Sequence, residues 1–350
     1  MNTVRVDASK SYDILIGTDL LKNTGELVCN VVSPCKAMII TDDIVNSLYA
    51  DCVKSSLEQS GFKTFKFVFK NGENSKSTGI FNDILESLAK NHINRGDIII
   101  ALGGGVVGDV AGFCASAYLR GINFVQIPTT LLSAVDSSVG GKTGINLKAG
   151  KNLAGAFWQP SLVICDYSTL DTLPRQVFAD GIAEAIKYGV ILSNELFELL
   201  SNGDIKNNIE QIITHCVTIK KDIVCKDEFD TGERQLLNFG HTIGHCIEKL
   251  SNFEISHGHA ISIGMCVISK ASFNAGLCEN DLSKPIEYAL VANGLPTRCD
   301  FDAKSIFELA VSDKKRFGQT INLVIPKEIG KCILYNINIE KLYKFIELGL

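Results

Sequence analysis

The chain has 350 residues, 46% hydrophobic and 21% charged, enough apolar material for more than one packed core and no compositional sign of disorder. Its formal net charge of −5 argues against a nucleic-acid partner, whose phosphates call for a basic surface. No apolar run reaches the roughly 18 to 20 residues of a membrane helix, and the opening MNTVRVDASKSYDILIG lacks the apolar core of a signal peptide. The expectation is a cytoplasmic protein of two domains with no membrane partner.

In chain order, CKAMIITDD (residues 35–43) reads as a buried strand and FKTFKFVFK (62–70) as an alternating, aromatic one. FNDILESLAKNHI carries helical spacing and leads to GDIIIALGGG, a third strand running into glycines; NFVQIPTTLL and PSLVICD follow as two more. Alternation of this kind predicts a mainly parallel sheet with helices on its faces. Beyond Asp171 the texture turns helical, in VFADGIAEAIKYGVIL, NNIEQIITHCVTIKKDIVC, GHAISIGMCVISKASFNAG and LSKPIEYALVANG, until INLVIPKEIG near the end. The fold expected is an α/β N-terminal Rossmann-like domain over 1–168, followed by a mainly α-helical C-terminal domain over 169–350. The 12 cysteines are spaced singly, with no C-x-x-C pair, and read as small apolar residues kept reduced.

Three stretches carry chemistry. In ALGGGVVGDVAGF, Gly103, Gly105 and Gly108 form G-x-G-x-x-G between a strand and a helix, where backbone N–H groups can meet a pyrophosphate. No acidic residue stands about 20 positions later to grip a ribose, so Asp42 and Asp43 at the earlier strand end are the candidates for that contact. In PTTLLSAVDSSVGGKTGINLKAGKNLAGAFWQP, GGKT is not a P-loop, because Asp136 stands where the first glycine belongs. What remains is a small-residue loop with Asp136, Lys142, Lys148, Lys151 and Asn152, suited to a phosphate or carboxylate.

The third stretch, LNFGHTIGHCIEKLSNFEISHGHA, holds four of the six histidines: His241, His245, His257 and His259. His241 and His245 stand four apart on a helix and can face one site, while His257 opens the next helix. Thr242 fills the glutamate position of H-E-x-x-H, so zinc-protease chemistry lacks its general base. Upstream, DGIAEAIKYG sets Asp180, Glu184 and Lys187 on one helical face. A glutamate with two histidines is a catalytic zinc shell with open positions. Four histidines and one glutamate leave spares.

Taken together, GGGVVGDVAGF, YLRGINFVQIPTTLLSAVDSSVGGKTGIN, GKNLAGAFWQP, AEAIK, GERQLLNFGHTIGHCIE, HGHAISIGM and DKK resemble the 3-dehydroquinate synthases, sugar-phosphate cyclases of the shikimate pathway, over nearly the whole chain. The resemblance implies NAD and one divalent metal, Zn(II) or Co(II), in a cleft between the two domains, with Glu184, His241 and His257 as metal ligands. It implies NAD contacts at Gly104, Gly105, Val106, Val107, Gly108, Asp109, Thr129 and Thr130, at Asp42, Glu73 and Lys76 on the adenosine side, at Lys142 and Lys151, and at Thr169, Leu170, Asp171 and Thr172. Substrate contacts fall on Asp136, Lys142, Lys151, Asn152, Lys187, Lys220, Arg234, Asn238, His245 and one or both of Lys314 and Lys315. Arg120 resembles a residue sent into the neighbouring subunit's site, which implies a homodimer.

The substrate implied is 3-deoxy-D-arabino-heptulosonate 7-phosphate, whose carboxylate and phosphate account for the lysines and arginine in an acidic protein. NAD oxidises its C5 hydroxyl, phosphate leaves by β-elimination, the hydride returns, and the opened ring closes by an intramolecular aldol step. Rivals are a related cyclase acting on an uncarboxylated sugar phosphate and a metal-dependent alcohol or glycerol dehydrogenase. Lys220 and Arg234 favour a carboxylated substrate, and the lysine loop speaks against a simple alcohol. The chain departs from the family at His259, where an acidic residue is common, and at Asn71, where proline is usual.

Overall fold

The apolar runs of the first half do form a sheet. In the computed structural model, which describes residues 1–312 and 319–350, β1 (Asn2–Val6) and β2 (Tyr12–Gly17) pair antiparallel. There follow β3 (Lys36–Asp42), β4 (Lys63–Phe69), β5 (Ile98–Gly103), β6 (Asn123–Pro128), the hairpin β7 (Lys142–Leu147) and β8 (Gly150–Phe157), and β9 (Leu162–Asp166). The sheet runs β1-β2-β9-β6-β5-β3-β4, and every pair except β1–β2 is parallel. Alternate residues of the central strands point to opposite faces. Ala37 and Ile39 of β3, with Ile98, Ile100 and Leu102 of β5, pack on one side under α1 (Thr24–Cys29), α2 (Asp43–Val45) and α3 (Asp51–Gln59). Met38, Ile40, Ile99 and Ala101 pack on the other, under α4 (Thr78–Lys90) and α5 (Gly105–Ala117). Both faces are covered, which is why these strands read as continuous apolar runs.

The small-residue loop expected after β6 is a hairpin instead. Thr143 through Ile145 face Ala156 through Ala154, and the strands approach closely at two glycines: a Cβ on Gly155 would lie 2.1 Å from the Thr143 carbonyl oxygen. Asp136 sits just before it, in a single helical turn, Ser133–Ser137.

The chain divides into two units, Met1–Leu173 with Lys220–Phe229, and Pro174–Ile219 with Asp230–Leu350. The division falls after Leu173 rather than at the expected 168, and one later segment belongs with the first unit. Lys220 donates to the Asp136 carboxylate and carbonyl at 2.8 and 2.7 Å, and Glu228 accepts from Ser9 and from Gln159.

The second unit holds α6 (Arg175–Leu192), α7 (Asn194–Ser201), the start of α8 (Ile209–Lys226), α9 (His241–Leu250), α10 (His257–Asn274), α11 (Ser283–Ala292), α12 (Ala303–Ser312), the antiparallel hairpin β10 (Thr320–Glu328) and β11 (Lys331–Asn338), and α13 (Ile339–Gly349). Helix α10 packs against α6, α9 and α13, so it is buried nearly all round and built from small residues. Its buried Ser269 and Ser272 donate back to the carbonyls of Met265 and Ile268, which satisfies them without a partner from outside the helix. No described helix is long and apolar enough to cross a membrane.

Candidate active site

Three helices bring the metal candidates together. Glu184 lies in the middle of α6, His241 is the first residue of α9, and His257 is the first residue of α10. Glycines set how closely these helices approach. A Cβ on Gly258 would fall 2.4 Å from the Asp180 Cα of α6, and one on Gly264 would fall 2.1 Å from the carbonyl oxygen of Gly240, the cap of α9. Gly240 itself has φ 78°, a left-handed conformation that glycine adopts without strain. Helices α6 and α9 are thereby held against α10 at backbone contact, next to the ligands they carry.

The donor atoms of Glu184, His241 and His257 lie within 4.8 Å of one another. Nε2 of His257 is 3.2 Å, and Nε2 of His241 3.4 Å, from Oε1 of Glu184. The Nδ1 atoms point elsewhere: that of His241 lies 3.1 Å from the Phe239 carbonyl oxygen, and that of His257 lies 3.2 Å from Oε2 of Glu248. Glu184 is 1% exposed and pairs with Lys187, itself 2% exposed and stacked 4.8 Å from the Tyr188 ring centre. Burial alone would raise the Glu184 carboxyl, but the Lys187 ammonium, His241 and His257 outweigh it and hold the group well below the usual carboxylate range. Burial lowers the His241 imidazole against the pull of Glu184. For His257, burial is overcome by hydrogen bonds to two carboxylates, Glu184 and Glu248, and the imidazole is raised to about 10.

His245 joins this group, its ring centre 5.3 Å from His241 and 5.8 Å from His257. His259 turns away. Its Nδ1 meets Oδ1 of Asp180 at 2.9 Å, and the same carboxylate oxygen accepts from Ser256 and from the His259 backbone N–H, fastening the start of α10 to α6. The spare histidine of the sequence is therefore a clasp between two ligand helices. A cavity of about 430 Å³ opens beside Asn238, His241 and His245. Arg234, 2% exposed, lies in the turn Glu233–Asn238 that leads into α9. Lys314 and Lys315 lie outside the described residues.

The first unit gathers a second set. Gly104 precedes α5, and no side chain caps the helix start there. At the end of β6 the Thr129 hydroxyl is buried, 2% exposed, with no hydrogen-bond partner among the described residues, while Thr130 is tied to Ser133. Lys76, 5% exposed, donates to Asp109 and Asn152. Burial raises the Asp109 carboxyl against the pull of the Lys76 ammonium. Glu73 accepts from Asn146, and Asn152 takes φ 55° in the hairpin. Lys142 is exposed and Lys151 half-buried on the same hairpin, and Val106 and Val107 form the first turn of α5. Asp42 caps α2 through the Val45 N–H at 2.9 Å. Thr169 and Leu170 are buried in the turn Tyr167–Thr172, whose exposed face carries Asp171 and Thr172; Tyr49 bonds the Thr169 carbonyl and the Thr172 hydroxyl. Arg120 is exposed, at φ 68°, after Leu119 at φ 50°.

Sequence reasoning missed Glu248. Its signal was present: His241, His245 and Glu248 stand at i, i+4 and i+7 on α9.

Both sets fit the groups the sequence implied. One carboxylate and two imidazoles at this spacing are the donors a divalent zinc or cobalt ion takes. An uncapped helix start beside an orphaned buried hydroxyl is a setting for a dinucleotide's pyrophosphate.

A family model described as 3-dehydroquinate synthase N-terminal matches residues 66–180, and one described as 3-dehydroquinate synthase C-terminal matches residues 181–316. The 3-dehydroquinate synthase of Clostridium acetobutylicum is 40% identical over 99% of both chains. That of Clostridium perfringens (strain 13 / Type A) is 45% identical over 97% of this chain and 99% of its own. Among solved structures, 2-deoxy-scyllo-inosose synthase complexed with carbaglucose-6-phosphate, NAD+ and Co2+ matches with a TM-score of 0.89 and 25% identity over the whole of both chains. With near-complete coverage at this identity and both halves matched in order, the chain belongs to the 3-dehydroquinate synthase family.

Proposed function

We propose that this protein converts 3-deoxy-D-arabino-heptulosonate 7-phosphate to 3-dehydroquinate and phosphate. The observation that carries the reading is the convergence of Glu184, His241 and His257, with donor atoms within 4.8 Å, in a chain of this family. When bound, NAD supplies a reversible oxidation and the divalent ion, Zn(II) or Co(II), a Lewis acid. Glu184, His241 and His257 would hold the ion, and Gly104 through Asp109 with Thr129 and Thr130 would hold the pyrophosphate.

The remaining work belongs to charge and position. Isolated cations are rarely buried in apolar surroundings, yet Lys187, Lys220 and Arg234 are each at most 6% exposed. Lys187 is held by Glu184 and Lys220 by Asp136, which fixes both ammonium groups in place for an anionic ligand. These three, with Lys142, Lys151, Asn152, Asn238 and His245, are assigned to the substrate's phosphate, carboxylate and hydroxyls, together with one or both of Lys314 and Lys315. A doubly anionic substrate accounts for buried cations such as Lys187, Lys220 and Arg234 in a protein of net charge −5. Arg120 is assigned to the partner's site in a homodimer. Its support is the left-handed backbone at Leu119 and Arg120, a conformation that costs energy in non-glycine residues and is retained where surroundings fix it.

The test is direct. Purified, metal-loaded protein is incubated with 3-deoxy-D-arabino-heptulosonate 7-phosphate and sub-stoichiometric NAD, and phosphate and 3-dehydroquinate are followed. Turnover well beyond the NAD supplied, lost with a chelator, is expected. Activity only with an uncarboxylated sugar phosphate, or net NADH formation from glycerol, would overturn the substrate assignment.

A further inference from the structure

We propose that Glu248 is a positioning residue that fixes which nitrogen of His257 faces the metal. This rests on the reading of Glu184, His241 and His257 as ligands and names a residue behind them. A neutral imidazole carries one proton, and the nitrogen bearing it cannot ligate. Nε2 of His257 points at Glu184, 3.2 Å away, so its lone pair is available to an ion only when the proton resides on Nδ1. That proton needs an acceptor. Glu248, 4% exposed, places Oε2 3.2 Å from Nδ1.

His241 shows the same arrangement with a different acceptor. Its Nδ1 faces the Phe239 carbonyl at 3.1 Å and its Nε2 faces Glu184 at 3.4 Å. Both candidate ligands therefore have an acceptor behind them and the same carboxylate before them. One acceptor is backbone and insensitive to substitution, while the other is a single side chain. Glu248 also sits on α9, two helical turns beyond His241, so its bond to His257 couples α9 to α10 at the height of the site.

Donor atoms of His245, Glu248 and His257 also lie within 4.8 Å of one another, and Glu248 could be read as a ligand there. That would require His257 to offer Nδ1, with its proton on Nε2 facing Glu184, and the first cluster would lose a ligand. The two clusters exclude each other while His257 is neutral. The first has both Nε2 atoms aimed at one carboxylate that is 1% exposed, whereas His245 of the second is exposed to solvent.

The experiment measures zinc dissociation constants of the full chain by competition with a chromophoric chelator, for wild type, Glu248→Ala, Glu248→Gln and His257→Ala. Glu248→Ala should bind zinc about 10- to 100-fold more weakly. Glu248→Gln, which keeps an acceptor oxygen, should recover most of the loss. Long-range ¹⁵N–¹H correlation on the zinc-loaded wild type should find the His257 proton on Nδ1, a readout independent of whether any variant folds. Overturning results are a folded Glu248→Ala with zinc affinity within twofold of wild type, a His257 proton on Nε2, or a second zinc ion per chain that Glu248→Ala removes. Unchanged zinc affinity in His257→Ala would sink the ligand assignment itself, and this inference with it.

Discussion

Gly258→Ala tests whether backbone contact between helices sets the geometry of the candidate metal centre. The added Cβ would lie 2.4 Å from the Cα, 2.5 Å from the carbonyl oxygen and 2.8 Å from the carbonyl carbon of Asp180. All three are backbone atoms, so no rotamer change relieves the contact. Ordinary carbon contacts lie at about 3.5–4.0 Å, so α6 and α10 must separate by roughly 1 Å. A metal ligand set tolerates deviations of about 0.2 Å, and the displaced helices carry Glu184 and His257. Overpacking of this kind costs about 1–3 kcal/mol, partly offset by up to about 1 kcal/mol from alanine's helix propensity. The expected outcome is a net loss of about 1–2 kcal/mol in urea denaturation and zinc binding weakened at least tenfold. Gly79→Ala is the matched control: it occupies the same second helical position, in α4, and its Cβ would meet only the Ser77 hydroxyl at 3.8 Å. That variant should be as stable as wild type or more so, with unchanged zinc affinity. If Gly258→Ala keeps both its denaturation midpoint and its zinc affinity, the helix contact does not position the ligands and the argument fails.

Lys187→Met should destabilise the fold by about 3–5 kcal/mol, because it leaves the Glu184 carboxylate buried without its ammonium partner; a denaturation midpoint equal to wild type would contradict this. Thr129→Val removes a buried hydroxyl with no hydrogen-bond partner among the described residues. Stability should hold or rise, while NAD affinity measured by fluorescence titration should fall about five- to tenfold, the worth of one hydrogen bond; an unchanged NAD constant would take Thr129 out of the cofactor contacts. Cys29, Cys52 and Cys225 are exposed, Cys35, Cys299 and Cys332 partly so and the other six buried, so a disulfide reagent should titrate the first three of the 12 thiols rapidly, the next three more slowly and the last six on unfolding. Burial raises the Cys165 and Cys266 thiols to about 12. A raised folded-state value stabilises the protein below the unfolded value near 9 and loses that contribution as pH climbs toward 12. Stability should therefore fall above pH 9 by about 1.4 kcal/mol per pH unit per thiol, and Cys165→Ala should show a shallower decline than wild type.

What could be read from the sequence follows from where each signal resides. The strands of the parallel sheet were legible because both faces are buried, so β3, β5 and β9 are unbroken apolar runs whichever way a side chain points. The histidine crowd was legible because three of the four converge. The hairpin β7–β8 was not, because its glycines and lysines lack strand propensity; its closeness comes from strand pairing across Gly144 and Gly155, which no local pattern records. β11 was missed for a related reason: most of its side chains are at least partly exposed, so KCILYNIN carries little burial signal of its own. Glu248 escaped because a glutamate late in an amphipathic helix resembles a solvated charge until His257, nine residues on and in another helix, is found beside it. The same holds for His259, left among the spare histidines by its sequence, whose partner proves to be Asp180. The sequence thus names the donors, while the spacing that makes them a site lies in contacts between helices. Gly258 and Gly264 offer no donor atom, yet they set how near the helices carrying Glu184, His241 and His257 can come. A chain with every ligand intact and a side chain at either glycine would keep the family's donor motif and lose the geometry that lets it hold an ion.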